Sequence, residues 1–144
     1  MIAEAIMCLA LNVYYEARSE DMAGQIAVSQ VVMNRVHSEY YPDTPCEVVY
    51  QGPTRPQWDD PTKQIPVKHR CQFSWYCDGK SDNPTDEEAW RTAVTVAWGV
   101  FNGMVQDKVN GALWYHADYV TPEWASEKQE TTRVGTHIFY NWKK

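Results

Sequence analysis

The spacing of apolar residues at the start of the chain predicts an amphipathic helix. Ile2, Ile6, Leu9 and Val13 recur at intervals of four, three and four residues, which places them on one face of an α-helix. Glu16 is the next position on this apolar stripe. We therefore expect a helix over most of the first seventeen residues, with a carboxyl group at the end of its buried face.

The next apolar run predicts a second helix that forms a hairpin with the first. Polar residues at 19–21 interrupt the stripe, and Asp21 is suited to cap a helix from about Met22 to His37. A turn at 42–45, rich in proline, then precedes a short helix around 48–49.

The second half of the chain predicts one more long helix followed by strands. Thr85 and Glu88 have the spacing of a capping box. The inner face of the helix that follows would comprise Ala89, Ala93, Ala97, Val100 and Met104. Runs at 112–115 and 134–140 are typical of strands and predict a small β hairpin or sheet.

Between these helical parts, the segment from Gly52 to about Pro84 has a different composition. Four of its prolines alternate with polar residues at positions 53, 56, 61 and 66. This pattern predicts a long irregular segment, with a short strand near Phe73.

The composition fits one folded domain. A chain of 144 residues with 44% hydrophobic and 22% charged residues can bury one core. We expect a single α+β domain over residues 1–144, predominantly helical with a small β hairpin or sheet, and no separate wall-binding domain.

The charge of the chain excludes some partners. The formal net charge is −6, and no run of Lys or Arg exceeds the terminal pair, so we expect no nucleic-acid partner. No apolar window approaches the length of a membrane span, and no positively charged leader precedes Glu4. We expect no stable membrane insertion, no visible signal peptide, and a monomer.

Aromatic residues are unusually frequent, with seven Trp and nine Tyr. Such rings either fill a core or line a groove on which sugar rings stack, and core filling is the default for any one of them.

Glu16 is the strongest candidate for chemistry. A carboxyl at the end of an apolar stripe, beside Tyr14 and Tyr15, loses hydration and gains affinity for a proton. Cleavage of a glycosidic bond requires such a proton donor near neutral pH. The alternative is a structural ion pair with Arg18 or Arg35.

Other chemistries stay open at this point. Glu20 could supply a second carboxylate, or could be a solvated loop charge. The four His show no ligand spacing and there is no HExxH or CxxC motif, so we expect no metal and no cofactor. Cys71 precedes His116 and His137, the order found in papain-like peptidases and amidases, which leaves a thiol nucleophile open.

The four cysteines are compatible with disulfides, although their pairing cannot be deduced from spacing. Cys8, in an apolar helical stretch, is expected to be a small buried hydrophobe.

Four segments together resemble the SleB/CwlJ family of cell-wall hydrolases, which includes spore cortex-lytic enzymes and bacterial and phage lysins. The segments are LALNVYYEARSEDMAGQIAVSQVVMNRV from Leu9, CQFSW from Cys71, GALWYH from Gly111 and GTHIFY from Gly135. The first segment contains the family's Glu-Ala-Arg-Gly-Glu signature beginning at Glu16, with Ser19 in place of Gly and Asp21 where Pro is frequent. Gly24-Gln25 and the Asn-Arg-Val run at 34–36 follow at the family's spacing.

The resemblance implies a lysozyme-like or lytic transglycosylase-like domain that cleaves the bond between N-acetylmuramic acid and N-acetylglucosamine, with Glu16 as general acid and base. Whether the product forms by hydrolysis or by transglycosylation stays open. The predicted substrate-binding residues are Tyr15, Glu20, Gln72, Phe73, Ser74, Tyr115 and His116. The segment 52–70 is longer than the usual link in the family and is either a lid or wall of the glycan cleft or a tolerated surface insertion.

The expected partner is the peptidoglycan glycan strand, met at the bacterial cell wall in the periplasm or on the outer surface. Without a visible leader, we expect synthesis in the cytoplasm and release at lysis, as for a phage endolysin. Two alternatives are an N-acetylmuramoyl-L-alanine amidase or peptidase with a metal or Cys/His site, and a non-catalytic carbohydrate-binding module.

Overall fold

The α-helices lie between residues 2 and 101 of the computed structural model, which describes residues 2–144. The helices are α1 (Ile2–Ala17), α2 (Met22–Val36), α3 (Pro45–Val49) and α4 (Glu87–Phe101). The strands are β1 (Thr54–Pro56), β2 (Gln64–Pro66), β3 (Trp114–Ala117), β4 (Gln129–Val134) and β5 (His137–Asn141), and short 3-10 helices span Ser74–Cys77 and Glu123–Glu127. Within residues 2–144, no helix has the length and apolar character required to cross a bilayer.

Helix α1 lies at the centre of the fold and packs against the other three helices. Leu9 and Val13 of the predicted stripe are fully buried, and the predicted helix is confirmed with its end at Ala17. Ile2 differs from the prediction because it lies in the first turn and remains exposed. The buried stripe fixes α1 in the core, so its last turn and Glu16 have a defined position.

Helix α2 begins as predicted. The carboxylate of Asp21 accepts a hydrogen bond from the backbone N–H of Gly24 at 3.0 Å and caps the helix. A Cβ atom at position 24 would lie 2.8 Å from Cβ of Glu20. Gly24 therefore allows the close approach of the turn that joins α1 to α2.

Helix α4 differs from the prediction at both ends. Its N-cap is Asp86, whose carboxylate accepts from the N–H of Ala89 at 3.1 Å, and the capping box at Thr85 and Glu88 is wrong. The backbone N–H groups of Thr85 and Asp86 instead donate to the Tyr14 hydroxyl at 3.3 and 3.1 Å, so a core side chain determines where this helix starts. The helix ends at Phe101, and Met104 is exposed beyond it.

The segment 52–84 contains more regular structure than its sequence predicts. Strands β1 and β2 form an antiparallel hairpin, and the predicted strand near Phe73 is wrong because the chain forms a 3-10 helix there. Trp75 in this turn is buried, and its Nε1 donates to Oδ1 of Asn12 at 2.9 Å. A long-range contact with α1 thus decides the local conformation.

The C-terminal sheet has the strand order β3-β5-β4, all antiparallel. The run predicted as one strand at 134–140 is interrupted by a turn at Gly135, whose φ is +58°. Strand β4 was not predicted because its sequence, QETTRV, is polar and lies at the sheet edge. The small sheet predicted for the end of the chain is confirmed, and its strand β3 faces the end of α1.

Two disulfides join the four cysteines, Cys8 to Cys46 and Cys71 to Cys77. The expectation that Cys8 is only a small hydrophobe is wrong. Helix α1 packs against α3, whose Cys46 lies with Cα 5.1 Å from that of Cys8, and the bond ties α3 to the central helix.

Glu20 joins two turns that are far apart in sequence. Its Oε1 accepts from the backbone N–H of Thr136 at 2.9 Å and from the Thr136 hydroxyl at 2.5 Å, and it lies 3.1 Å from Nδ1 of His137. The carboxylate is about 10% exposed, so the reading as a solvated loop charge is wrong. Burial acts to raise the pKa of Glu20, but the Thr136 hydrogen bonds and His137 outweigh it and lower that pKa below its usual value.

Removal of the Cys8–Cys46 disulfide is expected to destabilise the protein more than removal of Cys71–Cys77. The first bond closes a loop of 38 residues and the second a loop of 6, and chain entropy assigns them about 4 and about 2 kcal/mol respectively. Urea unfolding of the double variants Cys8→Ala/Cys46→Ala and Cys71→Ala/Cys77→Ala measures the two losses. A larger loss for the short loop would contradict the assignment.

Glu20→Gln is expected to lower the free energy of unfolding by roughly 1–3 kcal/mol at pH 7, because Thr136 and His137 lose a charged acceptor. The folded-state pKa of Glu20 lies below its unfolded value. Its contribution is therefore present above about pH 4 and is lost as the pH falls through the folded-state pKa. Unfolding curves of the wild type and variant should converge in acid. A difference that grows as the pH falls would refute this account.

Candidate active site

A cavity of about 240 Å³ lies at the C-terminal end of α1. Its walls come from α1, α2, the loop before the first 3-10 helix, strand β3 and the segment that follows β3. The lining residues are Glu16, Arg35, Gln72, Phe73, Trp114, Tyr115, His116, Val120, Pro122 and Trp124. Among these residues Glu16 is the only carboxylic acid.

The Glu16 carboxyl is held by Tyr115. The Tyr115 hydroxyl donates to Glu16 Oε1 at 2.6 Å. Burial raises the pKa of Glu16 above its usual value, and the Tyr115 hydrogen bond and the positive charge of Arg35 offset only part of that effect. Glu16 therefore keeps its proton to a higher pH than an exposed glutamic acid does, which is the property of a general acid.

Tyr115 is suited to remain a donor. Its burial, and then the neighbouring charge of Glu16, raise the pKa of Tyr115 well above its usual value. Its ring packs against Phe139 and His137, with centroids 5.7 and 5.2 Å away. The β-sheet thus fixes the hydroxyl that orients the carboxyl.

The structural alternative for Glu16 is not realised. Within residues 2–144, neither Arg18 nor Arg35 forms an ion pair with it. The guanidinium of Arg18 lies 4.5 Å from the centroid of the Tyr14 ring instead. The carboxyl is therefore free to act on a bound molecule.

Arg35 is a cavity residue that was not predicted as part of the site. Its Nε donates to the carbonyl oxygen of Leu113 at 2.7 Å, and the guanidinium carbon lies 4.9 and 5.4 Å from the ring centroids of Tyr41 and Phe73. Nη1 is buried without a hydrogen-bond partner in the described part of the chain. The Asn-Arg-Val run at 34–36 was the signal that could have identified it.

Aromatic side chains form the opposite wall. His116 Nε2 lies 2.8 Å from the Tyr140 hydroxyl, and His116 Nδ1 lies 2.7 Å from the carbonyl oxygen of Ala117. The Trp124 ring meets both His116 and Tyr140 edge-on, with centroids 5.6 and 5.3 Å away. Trp114 and Trp124 were missed individually; Trp114 lies within the matched segment GALWYH, whereas the only signal for Trp124 was the excess of aromatic residues.

The predicted substrate-binding residues fall into two groups. Gln72, Phe73, Tyr115 and His116 meet Glu16 at the cavity. Ser74, Tyr15 and Glu20 do not line it. Their role in substrate binding stays a prediction that this placement does not support.

Tyr15 and Glu20 have contacts of their own. Tyr15 stacks on Trp75 with centroids 4.9 Å apart and donates to the carbonyl oxygen of Ser81 at 3.4 Å. Glu20 is occupied by Thr136 and His137. The segment 52–70 contributes no residue to the cavity lining.

The thiol alternative is contradicted by the disulfides. Cys71 is bonded to Cys77 and Cys8 to Cys46, so all four sulfurs are blocked as nucleophiles. Within residues 2–144, no three His, Cys, Asp or Glu side chains converge as a metal site would require. A larger cavity of about 800 Å³ lies at the other end of α1, near Ile2 and Cys46, and contains none of the predicted site residues.

Known proteins with similar sequences are spore cortex-lytic enzymes. The chain is 31% identical over 137 residues to that of Halalkalibacterium halodurans, covering 94% of this chain and 34% of the relative. It is 31% identical over 135 residues to that of Bacillus subtilis strain 168, covering 93% of this chain and 36% of the relative. The chain spans about a third of the length of these relatives.

Solved structures share the fold over nearly the whole chain. The catalytic domain of the germination-specific lytic transglycosylase SleB from Bacillus anthracis aligns with a TM-score of 0.65 and 25% identity, over 95% of this chain and 93% of that one. The catalytic domain of the Bacillus cereus SleB protein aligns with a TM-score of 0.62 and 25% identity, over 96% and 91%. The predicted α+β, helix-rich fold is confirmed.

A family model described as Cell Wall Hydrolase matches residues 19–140. Glu16 lies just before this range, so its proposed role depends on the geometry of the cavity. The match covers most of the chain and confirms the resemblance predicted from the four segments: the chain belongs to the Cell Wall Hydrolase family.

Proposed function

We propose that this chain is a peptidoglycan-degrading enzyme that cleaves the bond between N-acetylmuramic acid and N-acetylglucosamine, with Glu16 as its general acid and then its base. The observation that carries the proposal is the partly buried Glu16 carboxyl, held by Tyr115 in an aromatic-lined cavity. The relatives named spore cortex-lytic enzyme and the structure named lytic transglycosylase support cleavage of the glycan strands of peptidoglycan. The place of action is then the bacterial cell wall.

In the first step Glu16 donates its proton to the glycosidic oxygen. The bond between that oxygen and C1 of the muramic acid breaks, N-acetylglucosamine leaves with a hydroxyl group, and positive charge develops on the muramic ring. The raised pKa of Glu16 supplies the proton near neutral pH. Its new carboxylate then faces the positive ring, which it stabilises electrostatically.

In the second step the cavity favours an internal nucleophile. Glu16 is the only carboxylic acid among the described lining residues. Inverting hydrolases need a second carboxylate to activate water, and retaining hydrolases need one to form a covalent bond to the sugar. No second carboxylate lines this cavity among the described residues. The muramic 6-hydroxyl can attack C1 while the Glu16 carboxylate accepts its proton. This step forms a 1,6-anhydro ring, restores the acid and consumes no water, which is lytic transglycosylation.

The other cavity residues would hold the sugar in place. The exposed side chain of Gln72 can exchange hydrogen bonds with acetamido or hydroxyl groups. Trp114 and Trp124 offer rings for stacking against the sugar faces. Together these contacts would position the glycosidic oxygen at Glu16, as proton transfer requires.

Glu16→Gln is expected to lower turnover of purified sacculi by about 10²–10⁴-fold, because the amide cannot donate the proton. The loss of turnover is measured as the release of soluble muropeptides, detected by mass spectrometry. The same spectra show whether the wild-type product is an anhydro sugar, which is lighter by one water than the product of hydrolysis. Folding should be unaffected, as circular dichroism would show.

Glu20→Gln is the matched control for this experiment. Below its unfolding temperature it should retain most of the turnover, because its carboxylate is occupied by Thr136. Wild-type turnover by Glu16→Gln would reject the assignment of the acid. Sacculi that are bound without product release by the wild type would favour a carbohydrate-binding module.

Tyr115→Phe is expected to move the alkaline limb of the pH–activity profile to higher pH. The Tyr115 hydrogen bond stabilises the Glu16 carboxylate, so its loss raises the pKa of Glu16 further and the acid form persists to a higher pH. Turnover at the optimum should fall, by about tenfold, since the carboxyl loses its fixed orientation.

Tyr140→Phe controls for the removal of a hydroxyl nearby. It removes the group that bonds His116 and leaves the Glu16 contact intact, so its alkaline limb should match that of the wild type. A shift to lower pH in Tyr115→Phe would contradict the role given to the tyrosine.

A further inference from the structure

Aromatic side chains continue from the catalytic cavity onto the outer surface. Trp114 lines the cavity, and its ring centroid lies 4.6 Å from that of Trp142. The Trp142 ring lies 5.6 Å from that of Tyr40. Lys128 Nζ lies 4.3 and 4.2 Å from the centroids of the two Trp rings. We call these four residues the aromatic strip.

The outer part of the aromatic strip is open to solvent. Trp142 is 45% exposed and Tyr40 is 66% exposed, although large aromatic rings are normally placed in a core. Trp142 and Tyr40 contact each other, and Trp142 also contacts Trp114. Trp58 and Trp98 are also exposed, but they contact no other ring among the described residues. An exposed run of rings joined to a cavity is typical of a binding surface.

Lys128 adds a positive charge to this surface. In the described part of the chain its ammonium group has no carboxylate partner within ion-pair distance, and it lies on a protein of net charge −6. Peptidoglycan carries carboxylates on the peptides that are attached to its lactyl groups. Lys128 would therefore strengthen the binding of an anionic glycan more than that of a neutral one.

The size of the cavity requires a second surface. Its volume of about 240 Å³ is below the roughly 300–1,000 Å³ of sites that enclose a drug-sized ligand. A glycan strand is a polymer, so the sugars on either side of the cleaved bond must continue outside the cavity. The aromatic strip begins at Trp114 in the cavity wall and offers one such path.

We propose that the aromatic strip binds the sugar units of the glycan strand that extend beyond the cleaved bond, with rings stacked on Trp142 and Tyr40 and a substituent carboxylate at Lys128. This inference rests on the proposed function, since it assigns a length preference to the same site. The enzyme then favours long strands over short fragments.

The test compares long and short substrates. In Trp142→Ala and Tyr40→Ala, cleavage of intact sacculi should fall by about three- to tenfold each, the effect of losing one aromatic contact. Cleavage of purified tetrasaccharide muropeptides should change less than twofold. Trp58→Ala and Trp98→Ala, which remove exposed tryptophans outside the strip, should match the wild type on both substrates.

Two results would overturn the proposal. One is wild-type cleavage of sacculi by Tyr40→Ala and Trp142→Ala. The other is an equal loss on sacculi and on tetrasaccharides, which would mean that the variants disturb the cavity instead. Trp142→Ala could displace Trp114, whose ring it contacts. Tyr40 forms no ring pair with Trp114, so Tyr40→Ala tests the aromatic strip without disturbing the cavity.

A binding assay separates this proposal from the catalytic one. Sedimentation of Glu16→Gln with sacculi should show a dissociation constant about three- to tenfold higher when Tyr40→Ala is added. It should also show weaker salt dependence when Lys128→Gln is added, since one ion contact is lost. If neither the dissociation constant nor its salt dependence changes, the binding role of the aromatic strip is rejected, even if the wild type cleaves sacculi. If the wild type cleaves nothing but its binding still depends on the aromatic strip, only the proposed catalytic function is rejected.

Discussion

The dehydration of one carboxyl group is the constraint on which the site depends. Glu16 is placed at the end of a helix whose apolar face is buried, and burial alone raises its proton affinity. A buried acid without a partner would be costly, and the Tyr115 hydroxyl, 99 residues away in sequence, limits that cost with a hydrogen bond. The position of the Glu16 carboxyl therefore depends on the contact between helix α1 and the C-terminal sheet.

Several contacts outside the cavity hold the elements of its walls in position. Glu20 fastens the turn after α1 to the turn between β4 and β5, and Asn12 on α1 fixes Trp75 beside the loop that carries Gln72 and Phe73. The Cys71–Cys77 bond constrains the same loop. The first two contacts join a wall of the cavity to the central helix or to the turn after it, so the stability of the fold and the geometry of the site have common causes.

The aromatic residues are divided between two roles that composition could not separate. Tyr14 and Trp75 are buried and organise the core, in agreement with the default expectation. Trp114 and Trp124 reach the cavity, while Trp142 and Tyr40 remain exposed beside it. Burial separates the core rings from the exposed ones, and the cavity lining separates Trp114 and Trp124 from both.

The sequence by itself determined the features that depend on local spacing. The stripe from Ile6 to Val13 and the position of Glu16 follow from helical periodicity, and the cap at Asp21 follows from its residue type. The motif segments identified the family and contained Gln72, Phe73, Tyr115 and His116, which line the cavity with Glu16.

The tertiary structure decided what depends on contacts between distant segments. It paired Cys8 with Cys46, moved the start of α4 to Asp86 through the Tyr14 hydroxyl, and brought Arg35 and Trp124 to the cavity. It also placed Glu20 outside the cavity lining, in contact with Thr136. The physical reason is that periodicity specifies which face of an element is buried, whereas the partner of each polar or aromatic group is set by packing between elements.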